Sequence, residues 1–379
     1  MAIKRRETTS AGVPYVDGKP RWQVRIRRPD GSQYSDTFTT RKAAEKWERD
    51  QLTGQSNGGW VDPAAGRVLL ATRAESFLTD RPRPLAPKTV ELYRNLLDRF
   101  ILPTFGRVPI GSISTEAVRA WLTRVRDDSS ELQSAKAYRL LRSILNVAVS
   151  DGVLVRNPCN VRGAGQEHSG ERPLASAEQI HQLANAIQAH LRALVLLAGF
   201  GGLRRGELFG LQRGDIDLDA GQLSVLRQVV YLKDGTRQVT KPKSAAGVRT
   251  VSLPPFVVEA LREHLDEWTP VGATAPVFVG ERGGPLGPVS LQTGFSGARR
   301  KTGLTQFTLH DLRHAAGTMA AWTGATTKEL MARLGHSTHD AALRYQHAAQ
   351  ARDAEIAAKL DVFRPQPMAN PRPPVGGWG

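Results

Sequence analysis

Two polar segments rich in glycine interrupt the chain, and they limit how its 379 residues can pack more than any other feature does. The first, 54–66, reads GQSNGGWVDPAAG, and the second, 162–173, reads RGAGQEHSGERP. Such composition favours turns and linkers over regular helices and strands. The segments therefore predict three blocks, 1–55, 66–162 and 173–363, each long enough to be considered as a separate domain.

The first block carries a strand pattern. Apolar and polar side chains alternate with period two over 21–27, so they fall on opposite faces of a strand. The apolar face has Trp22, Val24 and Ile26, and the polar face has Arg21, Gln23, Arg25 and Arg27. The turn sequence PDG at 29–31 predicts a hairpin with a return strand at 34–39, followed by a helix from Thr40. A row of exposed arginines is typical either of an ordinary solvated face or of a strand that binds DNA phosphates.

The second block is helical throughout. Apolar residues recur at helical spacing from Val68 to Asn157, and Ser114 stands where a helix N-cap is expected. A long helix over 131–152 ends at a glycine. Lys88 and Arg139 fall on polar faces of these helices, and the pattern predicts a compact unit of four or five helices.

The third block mixes helices with short strands. The patterns predict strands at 222–232 and 247–254, with a further candidate at APVFVG, 275–280. The longest apolar run, Leu191 to Phe200, is too short to span a bilayer and predicts a buried helix. Beyond the block, 364–379 is rich in proline and glycine, and we expect it to be disordered. The fold class that follows is multidomain and mainly α, with small β-sheets.

Charge and cysteine content narrow the functional classes. Lysine and arginine total 52 and aspartate and glutamate 36, so the formal net charge is +16. This favours a polyanionic partner, most commonly nucleic acid, although a basic surface kept for solubility is the alternative. The single cysteine, Cys159, excludes an intramolecular disulfide and a cysteine-based zinc site, as fits a reducing cytosol. The N-terminus has no apolar core and is not expected to be a secretory signal.

Five of the nine histidines lie close to a tyrosine, Tyr345, near the end of the third block; they are His310, His314, His336, His339 and His347. The segment TLHDLRHAAGTMAAW predicts a helix that presents His310 and Arg313, three positions apart, on one face. TKELMARLGH predicts a second helix that Gly335 stops, which places His336 just past its end.

Three interpretations of this cluster remain open on the residues alone. His310 and His314 have the spacing of a zinc pair, but no third ligand stands out. The histidines could also be structural. In the third interpretation the tyrosine is a nucleophile: a phenol is only about one part in a thousand ionised at neutral pH, so attack on a phosphodiester needs help. Arginines to balance phosphate charge, imidazole donors and an acid for the leaving oxygen would provide it without a metal.

The motifs resemble those of one family. HDLRH at 310–314, LGH at 334–336 and Tyr345 nine residues after His336 are similar to the C-terminal signature of tyrosine recombinases. GLRRGELFGLQRGDID at 202–217 resembles the segment that holds the first catalytic arginine of that family. The resemblance covers essentially the whole chain, and its three-part layout is similar to that of integrases from phages and mobile elements, particularly actinobacterial ones.

The resemblance implies a set of catalytic residues by position, namely Arg204, Lys243, His310, Arg313, His336 and Tyr345. Tyr345 is the expected nucleophile, forming a 3′-phosphotyrosine, and Lys243 is the expected acid for the leaving oxygen. Lys243 fits the spacing to the following strand better than Lys241, which stays as the alternative. Glu207 is expected to orient Arg204 or nearby backbone. No cofactor and no metal are implied.

The resemblance also implies partners. Block 1–55 would be an arm-type DNA-binding domain, 66–162 a core-binding domain and 173–363 the catalytic domain. The expected DNA-binding residues are Arg21, Arg25, Arg27, Lys88 and Arg139. The family works as a homotetramer on double-stranded DNA carrying core and arm attachment sites, and a helix at 354–363 is the candidate for docking on a neighbour. The expected location is the bacterial cytoplasm, at the nucleoid, with no membrane partner.

Some alternatives remain open at this point. A type IB-like DNA topoisomerase would share the chemistry, and a non-catalytic DNA-binding regulator would share the charge. The sequence does not identify the attachment site, the balance of integration and excision, or the need for an excisionase or a host DNA-bending protein. It does not separate a phage from a plasmid or a genomic island as the source.

Overall fold

The computed structural model describes residues 3–9, 11–28, 31–56, 61–62, 64–167, 173–242 and 244–337. The chain forms two compact units, Met1–Gly170 and Glu171–Gly379. The fold is mainly helical with small antiparallel sheets, as the sequence predicts. Within the described part of the chain, no helix has the length and apolar character needed to cross a bilayer.

The first unit begins with a three-stranded antiparallel sheet backed by one helix. Strands β1 (Ile3–Arg6), β2 (Arg21–Arg27) and β3 (Gln33–Phe38) pair in that order, and helix α1 (Arg41–Ser56) packs on the sheet. The two predicted strands and the helix are confirmed. Strand β1 was not predicted, because its sequence IKRR offers too few apolar residues for a period-two pattern.

The remainder of the first unit is helical. Its helices are α2 (Leu70–Thr79), α3 (Pro87–Leu96), α4 (Leu102–Phe105), α5 (Thr115–Asp128) and α6 (Glu131–Ser150). Trp121 lies at the centre of their core, fully buried, and its indole N–H donates to the Phe100 carbonyl at 2.8 Å. The predicted cap of α5 is confirmed, since the Ser114 hydroxyl accepts from the Ala117 amide at 3.1 Å.

Both predicted linkers are too wide at their N-terminal ends. Helix α1 continues to Ser56, so the first three residues of 54–66 are helical. At the second linker, Ala164 is 1% exposed against the helical core, and Arg139 donates to the Gly165 carbonyl at 3.1 Å. Burial and hydrogen bonding thus hold residues whose composition alone favours a linker.

The second unit combines seven helices with five short strands among its described residues. The helices are α7 (Ala177–Ala186), α8 (Ala189–Leu196), α9 (Arg205–Gly210), α10 (Pro255–Glu267), α11 (Pro288–Thr302), α12 (Leu309–Trp322) and α13 (Thr327–Leu334). The strands are β4 (Ile216–Asp217), β5 (Gln222–Val225), β6 (Gln228–Tyr231), β7 (Arg237–Thr240) and β8 (Arg249–Ser252). One sheet has the order β4-β5-β8, and β6 pairs with β7 in another.

Two strand predictions in this unit are wrong. The single strand expected at 222–232 is two strands in different sheets, β5 and β6, because the chain leaves the first ladder at Leu226 and Arg227. The candidate strand at 275–280 does not form, although Val277 within it is fully buried. Only isolated bridges occur there, one from Pro276 to Gln212 and one from Val279 to Pro285, and neither proline has an N–H with which to extend a ladder.

Several predictions fall outside the described residues. These concern Lys243, His339, Tyr345, His347, the candidate docking helix at 354–363 and the tail at 364–379. They stay predictions.

Candidate active site

Helix α12 carries two of the predicted site residues. A capping box fixes its start, where the Thr308 amide and hydroxyl donate to Asp311 at 2.7 and 2.6 Å. His310 therefore lies in the first turn and is exposed, with its ring 4.5 Å from that of His314. Arg313, one turn further on, is only 2% exposed.

Helix α13 delivers a third residue, His336. The helix ends at Gly335, whose φ of +63° is the left-handed conformation that favours glycine, and the His336 amide closes the turn on the Met331 carbonyl at 3.0 Å. Space also requires glycine here, since a Cβ atom on Gly335 would lie 2.9 Å from the Ala246 carbonyl oxygen. The predicted helix stop and the position of His336 are both confirmed.

Arg204 lies immediately before helix α9 and is oriented by Glu207. The Arg204 amide donates to one Glu207 oxygen at 2.8 Å, and its guanidinium donates to the other at 2.7 Å. The same guanidinium donates to the Gly335 carbonyl at 2.8 Å, although 131 positions separate the two residues. The orienting contact expected of Glu207 is therefore present.

Arg249 on strand β8 is a further member of the site, and the sequence interpretation missed it. Its guanidinium donates to both oxygens of Glu207, at 2.9 and 3.2 Å, and its Nε donates to the Arg333 carbonyl at 2.7 Å. A signal was available: Arg249 is two positions from Val251, which is 1% exposed, so period two places this arginine on the buried face of the strand.

Arg313 completes what we call the Glu207 cluster, which consists of Arg204, Glu207, Arg249 and Arg313. The Arg313 guanidinium donates to the carbonyls of Gly202 and Leu334 and lies 3.8 Å from Glu207. Three guanidiniums thus surround one buried carboxylate and leave a net charge of +2. Arg204 is the accessible one, with 37% of its side chain exposed. A cluster with surplus positive charge at a solvent-facing arginine is suited to bind an anion.

The charges of the cluster affect two ionisable groups. Burial alone would raise the pKa of Glu207, but Arg249 and Arg204 outweigh it, so the pKa is lowered and the carboxylate stays ionised. Burial, reinforced by Arg313 and Arg204, lowers the pKa of His336 to about 4. His336 is therefore neutral at pH 7.

The hydrogen bond between Arg313 and His336 sets the tautomer of that neutral ring. The two nitrogens, Arg313 Nη2 and His336 Nε2, are 3.3 Å apart. Because a guanidinium can only donate, Nε2 accepts and the proton resides on Nδ1.

The structure brings together Arg204, Arg313 and His336 among the predicted catalytic residues. His310 lies one turn before Arg313, and the segment 245–247, just after Lys243, packs against Gly335. Among the described residues, no group of three histidine, cysteine, aspartate or glutamate side chains could hold a metal ion.

The predicted DNA-binding residues lie in the first unit. Arg25 and Arg27 are exposed on β2, opposite the buried Val24 and Ile26, as the alternation predicts. The other three predicted residues form ion pairs within the unit: Arg21 with Asp17, Lys88 with Glu91 and Arg139 with Glu167.

Models of known protein families match two parts of the chain. Residues 174–352 match the model of the phage integrase family, and residues 70–164 match the model of the phage integrase central domain. The prophage phiRv2 integrase of Mycobacterium tuberculosis is 38% identical over 351 residues, covering 90% of this chain and 92% of that one. The integrase of Mycobacterium phage L5 is 31% identical over 354 residues, covering 88% and 92%.

Solved structures share the fold. The Tn1549 transposon integrase, in complex with transposon right end DNA, matches with a TM-score of 0.67 at 20% identity, over 76% of this chain and 100% of that one. A lambda integrase dimer bound to a core site matches with a TM-score of 0.57 at 19% identity, over 92% and 97%. On the sequence relationships, the chain belongs to the phage integrase family and is a tyrosine-type site-specific recombinase.

Proposed function

We propose that this recombinase cuts and rejoins DNA through a covalent 3′-phosphotyrosine on Tyr345, and that the Glu207 cluster with His336 forms the phosphate-binding part of its site. The observation that carries the proposal is the convergence of three arginines, distant in sequence, on one carboxylate beside His336. A phosphodiester gains negative charge on its non-bridging oxygens during attack, and fixed guanidiniums stabilise that charge.

Two arginines of the Glu207 cluster would make different contacts with the phosphate. Arg204 is solvent-facing and would contact the phosphate first, with Glu207 fixing the plane of its guanidinium. Arg313 is buried beside His336 and would contact an oxygen that enters past the imidazole. Holding these groups in place before DNA binds avoids a reorganisation cost during the reaction.

The histidines and the lysine would handle protons and hydrogen bonds. His336, neutral at pH 7, would add a hydrogen bond to the phosphate without adding charge. His310, exposed at the start of α12, would form a hydrogen bond with the phosphate and accept the phenol proton of Tyr345. Lys243 would give a proton to the departing 5′ oxygen, with Lys241 as the alternative.

The bonds balance within the reaction. The tyrosine oxygen forms a bond to phosphorus as the bond from phosphorus to the 5′ oxygen breaks. One proton leaves the phenol for His310, and another passes from Lys243 to the departing 5′ oxygen, which becomes a hydroxyl. Attack by a 5′-hydroxyl on the phosphotyrosine reverses the step. The phosphodiester energy is kept in the covalent link, so rejoining needs no nucleotide cofactor.

The partners follow from the relatives. Tn1549 and lambda integrases have been solved on DNA, and the lambda enzyme also as a tetramer on a Holliday junction. We extend this to a homotetramer on attachment-site DNA, integrating a phage or mobile element in the cytoplasm of its bacterial host, at the nucleoid. Residues 1–55 would bind arm sites and 66–162 core sites, through Arg21, Arg25, Arg27, Lys88 and Arg139. An excisionase and a host DNA-bending protein would be auxiliary partners.

The test is covalent capture of a nicked suicide substrate, from which the cleaved strand diffuses away. The wild-type chain should form an adduct that survives denaturation, and Tyr345→Phe should form none while still binding DNA. Tyr231→Phe is the matched control, because the same hydroxyl is removed from a tyrosine that donates to the Leu286 carbonyl. An adduct in Tyr345→Phe would reject Tyr345 as nucleophile.

A second assay addresses site pairing. Supercoiled plasmids with and without a cognate attachment site are incubated with the wild-type chain. We expect recombination only where the site is present. Relaxation of both plasmids without recombinant products would favour topoisomerase activity.

A further inference from the structure

Arg249 joins three separate parts of the catalytic unit. It contacts helix α9 through Glu207, the end of helix α13 through the Arg333 carbonyl at 2.7 Å, and the segment 245–247 through the Gly247 carbonyl at 3.1 Å. Its side chain is 5% exposed, so these contacts lie in a poorly solvated setting. A buried guanidinium needs its donors matched and its charge paired, and both conditions are met here.

The contacts of Arg249 reach the groups expected to bind phosphate. Glu207 is shared: the Arg249 guanidinium donates to both of its oxygens, and the Arg204 guanidinium donates to one of them. At the other end, the Arg333 carbonyl belongs to the last turn of α13, directly before Gly335 and His336. A Cβ on Gly335 would lie 3.0 Å from Arg249 Nη1, so this turn packs closely on the guanidinium.

We propose that Arg249 is a positioning residue of the recombination site, which fixes Arg204 through Glu207 and fixes the turn that carries His336. This inference rests on the proposed function of the site. Arg249 does not need to touch DNA: without it, Glu207 would lose a two-pronged partner and could rotate away from Arg204.

A half-buried arginine at the same junction provides a matched control. Arg333 donates to the carbonyls of Ser252 and Phe200, each at 3.0 Å, so its guanidinium is held by backbone oxygens and not by Glu207. Replacing either arginine by methionine keeps most of the apolar stem and removes the guanidinium. Both changes should reduce stability, but only the change at Arg249 should disturb the orientation of Arg204.

The experiment measures single-turnover covalent capture by the wild-type chain, Arg249→Met, Arg249→Lys and Arg333→Met, with DNA affinity and thermal midpoint measured on each. We expect Arg249→Met to capture DNA about 10²-fold more slowly at near-normal affinity, in line with the loss of one preorganised donor. The capture rate of Arg249→Lys should lie between those of the wild-type chain and Arg249→Met. An ammonium can pair with Glu207 but cannot donate to the Arg333 carbonyl at the same time. Arg333→Met should capture DNA at close to the wild-type rate.

A second substrate separates positioning from a general loss of fold. A methylphosphonate at the scissile position removes the negative charge that Arg204 would balance. If Arg249 acts through Arg204, the rate ratio of wild type to Arg249→Met should be about tenfold smaller on this substrate than on the phosphodiester. If Arg249→Met does not fold, Arg249→Lys provides the same comparison.

Three results would overturn the inference: a wild-type rate in both Arg249 variants, an equal rate ratio on the two substrates, or an equal loss in Arg333→Met. Failure of the proposed function looks different, because the wild-type chain would then form no adduct on the phosphodiester.

Discussion

Strand β2 and the Glu207 cluster are both rich in arginine, but they hold it in opposite ways. On β2, Arg25 and Arg27 are exposed on a sheet whose other face is buried. In the cluster, Arg249 and Arg313 are at most 5% exposed and have fixed acceptors. The same side chain therefore gives an adaptable basic surface in one place and a rigid charge arrangement in the other. Long-range attraction to DNA needs only the former, whereas stabilising a reacting phosphate needs the latter.

The largest expected effect is on stability, from Glu207→Gln. This change leaves three guanidiniums around a neutral amide, and loss of one partner of a buried ion pair costs about 3–5 kcal/mol. The free energy of unfolding of the full chain, from urea titration, measures it. Glu259→Gln, on the exposed face of α10, is the control and should stay within about 0.5 kcal/mol of wild type. Equal stability of the two variants would mean that the cluster is not held by its carboxylate.

Substitutions of the exposed arginines on β2 should change DNA binding and leave the stability of the chain nearly unchanged. Arg25→Ala and Arg27→Ala should each stay within about 0.5 kcal/mol of wild-type stability. Each should lower affinity for arm-site DNA and reduce the slope of log affinity against log salt by about one per lost phosphate contact. Gln23→Ala, on the same polar face, should not change the slope. An unchanged slope in both arginine variants would remove this strand from the DNA interface.

The smallest expected effect is a titration. The pKa of His336 is about 4, below its ordinary value of 6.5, so the unfolded chain takes up a proton first as the pH falls. The contribution to stability is therefore present above pH 6.5 and is lost as the pH falls towards 4. Ring resonances followed by NMR should titrate near pH 4, with a neutral ring protonated on Nδ1 at pH 7. A midpoint near 6.5 would show that neither burial nor the guanidiniums lower the pKa of this ring.

Local patterns predicted much of the fold. The Ser114 cap, the alternation along β2, helices α12 and α13 and the stop at Gly335 all depend on a few neighbouring residues, and all are confirmed. The patterns did not predict that β5 and β6 belong to different sheets. Alternation determines which side chains share a face of a strand, but it does not determine which strands pair.

The same distinction between local patterns and distant contacts applies to the site. Motif spacing predicted Arg204, Arg313 and His336 as site residues, and the structure places the three close together. Arg249 was missed because its importance comes from Glu207 and Arg333, which lie 42 and 84 positions away. Period two along RTVS does place it on the buried face, and a buried arginine requires a carboxylate or several carbonyls. That requirement was the one available clue.

Adjacent arginines offer the most direct test of the central claim, that a fixed guanidinium beside Glu207 promotes cleavage at phosphorus. Arg204 is tied to Glu207 and Gly335, whereas its neighbour Arg205 is exposed. The measurement is the rate of covalent capture of a nicked substrate by Arg204→Ala and by Arg205→Ala. We predict a loss of about 10²- to 10³-fold in Arg204→Ala and a nearly unchanged rate in Arg205→Ala. Equal rates in the two variants would contradict the claim.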